Sequence, residues 1–443
     1  MDPVMIGLLA LVAFLVMMFV GIPVPFAMAF GGLLGIVAIR GAQVASQMLV
    51  SELFNTFTTY TFTVGPMFGL MGFLASYSGV GSNLYNAVNA FIGHWRGGLA
   101  MATQVAGAGF GAICGSPPAA VATFSAIAYP EMKKYKYNRY LAANTIGVAS
   151  MLSSLIPPSG ALIIYGLITE NSIGRLFMGG IIPGIMVMFL QILAIVWIVL
   201  RHPDFGPTGA KRSWKERRHS ILHGGLIEIF IVFFLSMGGM FAGFITPTEA
   251  GAVGTFGMLM CTVISRKMNW RKFVSSLMAG VRLQAMVFML LGCASVLGKL
   301  FVVSRLPIVI GDFVRGLEMS NLGIMLVVLL IYIILGMFTD MLPMMIVTMP
   351  IFYPIVTDYL GYSPIWFGVI LIVFIAIGGI TPPVGSGIFL VKGCLADSDI
   401  TITGLFRNVV PFIVAEILAA VILIFIPQIV TVLPDLVYGQ QLF

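Results

Sequence analysis

Five oxygen-bearing side chains, Ser116, Thr123, Thr339, Asp340 and Thr348, stand beside glycines and prolines that interrupt long apolar runs, in GSPPAAVAT (115 to 123) and DMLPMMIVT (340 to 348). Proline removes a backbone donor and clashes with the preceding turn, so Pro117, Pro118 and Pro343 free nearby carbonyl oxygens from helical pairing. Hydroxyls and bare carbonyls with at most one formal negative charge are the ligands of a hard monovalent cation such as sodium. A second set of breaks, SLIPPSG and GITPPVG, adds the carbonyls of Ile156, Pro158, Ile380 and Pro383 and the hydroxyl of Thr381. Half-helices that begin at such breaks turn their positive ends toward an anion. The same residues have a plainer reading, in which the prolines only kink helices and each Ser or Thr bonds back to its own helix.

Duplication weighs against that plainer reading. Gly111, Pro118, Thr123, Pro157, Pro158 and Gly160 meet Gly336, Pro343, Thr348, Pro382, Pro383 and Gly385 at a constant offset of 225. Gly21 and Pro25 match Gly243 and Pro247 at an offset of 222, so the repeat covers nearly the whole chain. Residues 1–215 form a first repeat with an interrupted hairpin at 97–130 and a broken helix at 140–168. Residues 220–443 form a second, with a hairpin at 322–356 and a broken helix at 364–391. Backbone left unpaired at membrane depth survives only inside protein or around a polar cavity. Interrupted segments at corresponding places in two halves are therefore pointers to a transporter's binding site.

The composition is that of a membrane protein. With 59% hydrophobic and 9% charged residues and a mean hydropathy of +1.07, the chain reads as an all-α polytopic membrane protein and not as a soluble domain. No alternating strand pattern suggests an outer-membrane barrel. The net charge of +7 gathers in the loops 131–139, 211–218 and 266–272, which speaks for membrane topology and not for nucleic acid. Cys114, Cys261, Cys293 and Cys394 lie apart in apolar segments, without metal or disulfide spacing. His94, His202, His219 and His223 fall near segment ends, and no nucleophile motif, zinc motif or phosphate loop occurs, so neither an enzyme nor an organic cofactor is expected. No cleavable leader is evident.

Apolar runs at about 4–21, 25–40, 57–79, 140–168, 176–200, 224–243, 247–265, 276–298, 364–391 and 409–432 alternate with a surface-lying polar stretch at 41–56 and an amphipathic segment near 82–95. The loop EMKKYKYNRY carries Lys133, Lys134, Lys136 and Arg139, whereas its counterpart IVTDYLGYS has no Lys or Arg. Basic loops stay in the cytoplasm, so these two loops face opposite sides, and the linker 201–220 lies inside. That is consistent only if each interrupted stretch enters and leaves on one face. The expected architecture is an inverted-topology repeat of about ten spanning helices, two re-entrant hairpins and two broken helices, with both termini periplasmic.

Asp340 is the sharpest single residue, because a carboxylate in an apolar run is costly and usually faces a cavity. Glu228, Glu249 and Glu416 are further acids in apolar runs, and Glu249 follows a Thr-Pro-Thr helix start that explains it as a cap. Arg282 and Lys299 could attract an anion. Their plainer role is to snorkel, Lys299 outward and Arg282 inward.

The runs GIPVPFAMAFGG, GPMFGLMGFLASYSG, FGAICGSPPAAVATF, PEMKKYKYN, IPPSGALIIYGLITENSIGRLFMGGIIPG, FITPTEAGAVG, PIFYPIV and GGITPPVGSGIF resemble the large membrane subunit of tripartite ATP-independent periplasmic (TRAP) transporters, over essentially the whole chain. The resemblance implies an inner-membrane permease that works with a small four-helix membrane subunit and a soluble periplasmic binding protein, and that imports an organic acid on a sodium gradient by an elevator movement. A separate small subunit is expected, because no extra domain precedes the first helix. Carried onto this sequence, sodium sites would involve Gly115, Ser116, Ile156, Pro158 and Gly160 in one half, and Gly336, Asp340, Ile380, Thr381, Pro383 and Gly385 in the other, with at least two ions. Substrate would meet Ser116, Pro117, Pro118, Ser159, Asp340, Pro343 and Thr348. The family's first tip is commonly richer in hydroxyls, where this chain has Pro117 and Ala120.

The expected function is a sodium-coupled transporter subunit importing a small organic anion. A self-sufficient sodium/anion symporter or antiporter is the alternative from the same physics. A channel is disfavoured by the hairpin duplication, and an intramembrane enzyme by the lack of a nucleophile and base.

Overall fold

A computed structural model describes residues 2–222, 226–316, 318–395, 397 and 399–439. His223 and the start of the run expected at 224–243 lie outside the described residues. The described chain is helical throughout, without a strand. Its first half contains α1 (Pro3–Phe19), α2 (Val24–Arg40), α3 (Ala42–Thr58), α4 (Val64–Tyr77), α5 (Val80–Ile92), α6 (Gly98–Cys114), α7 (Pro117–Lys134), α8 (Arg139–Met151), α9 (Gly160–Ile168) and α10 (Ile173–Arg201). After α11 (Trp214–Leu222) come α12 (Leu226–Phe233), α13 (Gly239–Phe241), α14 (Pro247–Ile264), α15 (Trp270–Ser304), α16 (Leu306–Arg315), α17 (Asn321–Gly336), α18 (Met341–Pro354), α19 (Pro364–Ile380), α20 (Ser386–Cys394), α21 (Ile402–Phe425) and α22 (Gln428–Tyr438).

The polar stretch at 41–56 is the helix α3, and the run expected at 57–79 starts later, at Val64. Local hydroxyl chemistry explains the gap. Thr58 donates to Phe54 O at 2.8 Å, Thr59 to Asn55 O at 2.6 Å and Thr63 to Tyr60 O at 2.6 Å, and such back-bonding competes with helix continuation. The counterpart in the second half lacks this threonine cluster and runs unbroken for 35 residues as α15. The run expected at 409–432 ends at Phe425, because Pro427 cannot continue a helix and α22 begins after it.

Among the described residues, four helices are by themselves long and apolar enough to cross a bilayer: Ile173–Arg201, Trp270–Ser304, Met341–Tyr359 and Ile402–Phe425. Other expected spans are shorter helices. α19 has 17 residues, about 26 Å at 1.5 Å per residue, against about 30 Å of hydrocarbon. The breaks at 155–159 and 381–385 cut what would otherwise be full-length spans, and supply the missing length beyond them as α9 and α20.

Elements from the two halves interleave. α7 packs on α20 while α18 packs on α9, α8 packs on α21 while α19 packs on α10, and α4 packs on α14 while α2 packs on α15. Each hairpin thus leans on the half-helix that follows the break of the other copy. At one end, loops tie the halves electrostatically: Lys133 Nζ lies 2.8 Å from Asp397 Oδ2, Tyr129 Oη donates to the same oxygen at 2.8 Å, and Arg139 reaches Asp399 at 3.3 Å.

Those bonds, from Lys133 first and Tyr129 second, pull the Asp397 carboxyl down to about 2. A carboxylate with a depressed folded value stabilises the fold above the ordinary carboxylate range of about 4 and loses that contribution as pH falls toward the folded value. Lys133→Ala should therefore lower the melting temperature of the solubilised protein near neutral pH. The difference from wild type should shrink as pH falls from about 4 toward 2 and vanish only below that, once Asp397 is protonated in both.

Candidate functional site

The first hairpin turns at Gly115, which ends α6 in the left-handed region at φ +58. Glycine alone takes that conformation without strain. It is also the only residue with room there, because a Cβ would strike Pro158 O of the first break. The Gly160 N–H donates to Gly115 O at 3.2 Å, so backbone meets backbone where tip and break touch. The second tip repeats this with a change: the Gly385 N–H donates to Met337 O at 3.1 Å, and Gly385 has φ +57. Both breaks hold a cis proline bond, Pro157–Pro158 and Pro382–Pro383.

Close helix approach holds tip and break in register. A Cβ on Gly111 would lie 2.8 Å from Ser153 Cα, and one on Gly378 2.8 Å from Gly336 Cα. Gly111 with Ser153 and Gly336 with Gly378 are the same pair of positions, 225 residues apart. The repeated glycines read from the sequence are the contact points between each hairpin and its broken helix.

Both tips open on one cavity of about 290 Å³. The first half contributes Gly115, Ser116, Pro117, Pro118, Ser154, Pro158 and Gly160, and the second Thr339, Asp340, Pro343, Gly379 and Ser386. Gly65, Phe68 and Gly69 of α4 and Leu283, Gln284 and Val287 of α15 also line it, among further apolar residues. Among the described lining residues Asp340 carries the one formal charge, and no Lys, Arg or His is present. An anion there meets hydroxyls, the Gln284 amide and the starts of half-helices, and needs positive charge brought in with it.

Of the candidate substrate contacts, Ser116, Pro117, Pro118, Asp340 and Pro343 line the cavity, whereas Ser159 and Thr348 do not. Ser159 donates to Ser154 O and caps α9 by accepting from Leu162 N. Thr348 is buried with its hydroxyl 2.7 Å from Tyr332 Oη and 2.9 Å from Met344 O. Thr123 pairs with Ser76 at 3.1 Å, and Thr339 donates to Leu335 O at 3.0 Å.

Of the candidate cation ligands, Gly115, Ser116, Pro158, Gly160 and Asp340 line the cavity. Ile156, Gly336, Ile380, Thr381, Pro383 and Gly385 do not line it: Gly336 ends α17, and the others lie at or beside the two breaks. Among the described residues no hydrogen bond reaches the carbonyl oxygens of Ile156, Pro158, Thr381 or Pro383. Free carbonyls at both breaks are the donor set that sodium takes, so these residues fit that ion. Thr381 donates its proton to Ile377 O at 2.6 Å, which leaves its oxygen lone pairs for a cation. Asp340 starts α18 without a side-chain capping bond, and its side chain is exposed to the cavity. No cluster of three His, Cys, Asp or Glu residues suited to a metal occurs among the described residues.

Gln284 escaped the sequence reading. A lone amide in the apolar run LQAMV was its only signal, and the charged neighbours Arg282 and Lys299 drew attention instead. Lys299 does not merely snorkel: its Nζ lies 3.4 Å from Glu52 on α3. Arg282 is exposed. Glu249 closes a capping box with Thr246, as its helix-start context suggested.

The sequence pattern of the tripartite ATP-independent periplasmic transporter, DctM component, matches residues 11–429. The chain belongs to the DctM family. The C4-dicarboxylate TRAP transporter large permease protein DctM of Pseudomonas aeruginosa is 31% identical over 87% of this chain and 89% of that protein. The sialic acid TRAP large permease SiaM of Vibrio cholerae is 27% identical over 96% of this chain and 98% of that one. The isethionate TRAP permease DctMQ of Oleidesulfovibrio alaskensis is 29% identical over 96% of this chain, which spans 65% of that longer protein. The YdaH transporter of Alcanivorax borkumensis, whose crystal structure shows an unusual topology, shares the fold with a TM-score of 0.60 at 14% identity, over 89% of this chain and 90% of that one. This DctM-family chain is thus a large permease subunit for transport across a membrane, and not an enzyme.

Proposed function

We propose that this DctM-family permease imports a small organic anion across the inner membrane on a sodium gradient, receiving it from a periplasmic binding protein and working beside a small membrane subunit of four helices. The observation that carries the reading is the meeting of both hairpin tips and the first break at one cavity with no cationic side chain among its described lining residues. An anion entering it is compensated by sodium held at the free carbonyls of Ile156, Pro158, Thr381 and Pro383, with Asp340 offsetting one positive charge. Sodium supplies the positive charge that the protein wall lacks. At least two ions suit two like breaks.

The chain then has about ten spanning helices in inverted repeats, with both termini periplasmic. α1 to α4 and α12 to α15 form a scaffold, and the hairpins with their broken helices slide against it as an elevator. Gln284 and the glycines of α4 face the cavity from the scaffold side. The relatives' names set the range of acids to try first: C4-dicarboxylates, sialic acid and isethionate.

Proteoliposomes containing this chain, the small subunit and the binding protein test the reading. Saturable uptake driven by an inward sodium gradient is expected, and it should fall at least about tenfold, ~1.4 kcal/mol, when potassium replaces sodium. Uptake indifferent to sodium would remove the coupling. Equal uptake by the chain alone would replace the tripartite reading with a self-sufficient symporter.

A further inference from the structure

Gln191 on α10 and Glu416 on α21 stand at corresponding positions of the two copies, 225 residues apart, and meet where those helices pack. Gln191 Nε2 donates to Glu416 Oε1 at 2.7 Å. Gln191 is 0% and Glu416 2% exposed. Glu416 does not line the transport cavity; it borders a separate void of about 10 Å³ that shares Met151 and Ser154 with that cavity and is otherwise walled by Leu152, Leu155, Val187, Ile372, Val373 and Ala376.

Nothing nearby neutralises a carboxylate. Among the described residues the wall of the void holds no charged or titratable group besides Glu416. Elements packed on α21 carry theirs elsewhere: Arg175 and Arg201 at the ends of α10, Arg139 and Tyr140 at the start of α8, Lys392 and Cys394 late in α20, and Asp435 and Tyr438 in α22. α19 has none, and α21 itself adds Arg407 near its start. One neutral amide N–H is poor compensation for a charge taken wholly out of water. A second anomaly sits on the partner: Gln191 Oε1 is buried and no hydrogen bond reaches it. A buried acceptor without a donor is costly, and native structures rarely leave one.

One proton resolves both. A protonated Glu416 can donate its O–H to Gln191 Oε1 while the Gln191 N–H donates to the other carboxyl oxygen, which closes an acid–amide ring with every polar atom paired. We propose that Glu416 holds a proton in the membrane interior and shares it with Gln191, forming a proton site between the two copies, separate from the sodium ligands. The void touches Ser154 and Leu155, just before the first break, and Ile372 to Ala376 of α19, before the second. Loss of the proton would place an uncompensated negative charge against Leu155 at the first break and against the part of α19 that leads into the second, so transport should fail on the alkaline side.

Infrared difference spectra of wild type minus Glu416→Gln in lipid, near neutral pH, read the proton directly and need no transport, so they stand or fall apart from the sodium reading. A protonated carboxylic acid C=O band is expected, displaced when Gln191→Leu removes its partner. A difference that shows carboxylate stretches and no acid band would overturn the proposal. Wild-type uptake should fall on the alkaline side, and Glu416→Gln, which can keep a two-point amide pair, should lose that fall. An unchanged alkaline fall in that variant would also overturn it.

Discussion

Gly115→Ala should abolish most transport and destabilise the protein, because one methyl group at this position meets two obstacles at once. The residue sits at φ +58, where an L side chain costs about 1–2 kcal/mol. Its Cβ would also strike the Pro158 carbonyl, a backbone atom that cannot rotate away as a side chain can. Overpacking of this kind costs about 1–3 kcal/mol. The only relief is to separate the hairpin tip from the break, which lengthens the Gly160 to Gly115 hydrogen bond and moves Pro158 O from its place at the cavity. Sodium-driven uptake should drop by about a hundredfold, ~2.7 kcal/mol, together with a lowered melting temperature. Gly393→Ala is the control: it lies in α20, and nothing stands within 4 Å of its Cβ position. Equal behaviour of the two variants would mean that tip and break do not act as one unit.

Asp340→Asn should leave folding untouched and weaken sodium activation. The side chain is exposed to the cavity, makes no capping bond and has no ion-pair partner among the described residues, so its removal strands no buried group. What disappears is the only formal negative charge among the described residues of the cavity wall. The sodium concentration for half-maximal uptake should rise about tenfold or more, equivalent to ~1.4 kcal/mol, with an unchanged melting curve. Thr381→Ala should shift it in the same direction by less. A neutral oxygen is lost there, along with one hydrogen bond to Ile377 O worth about 0.5–1.5 kcal/mol. Wild-type sodium activation in both variants would clear these residues of any role in coupling.

Much of the architecture was legible in local chemistry. Gly111 and Gly336 could be recognised as special because only a residue without Cβ suits such close helix contact, and their recurrence at one spacing exposed the duplication. Prolines at 117, 157, 343 and 382 announced where helices must stop. The separation of the polar stretch at 41–56 from the run after it was legible, but the start of α4 at Val64 and not at 57 was not, since three threonine hydroxyls turning back on their own helix leave no signature in hydropathy. Thr348 shows the limit of motif matching: its type and place suggested a ligand, yet its hydroxyl is engaged by Tyr332 within the second hairpin.

The amino-acid sequence by itself determined that this is a helical membrane protein, that it is written twice, and where its helices break, because hydropathy, glycine and proline act within a few residues of themselves. It also carried the family. Only the tertiary structure decided which surfaces meet: α7 against α20 and α18 against α9, Gln284 on the cavity wall, Lys299 beside Glu52, and Gln191 against Glu416. Those pairings join residues tens to hundreds of positions apart, and side-chain packing between distant helices has no period that a linear reading can detect.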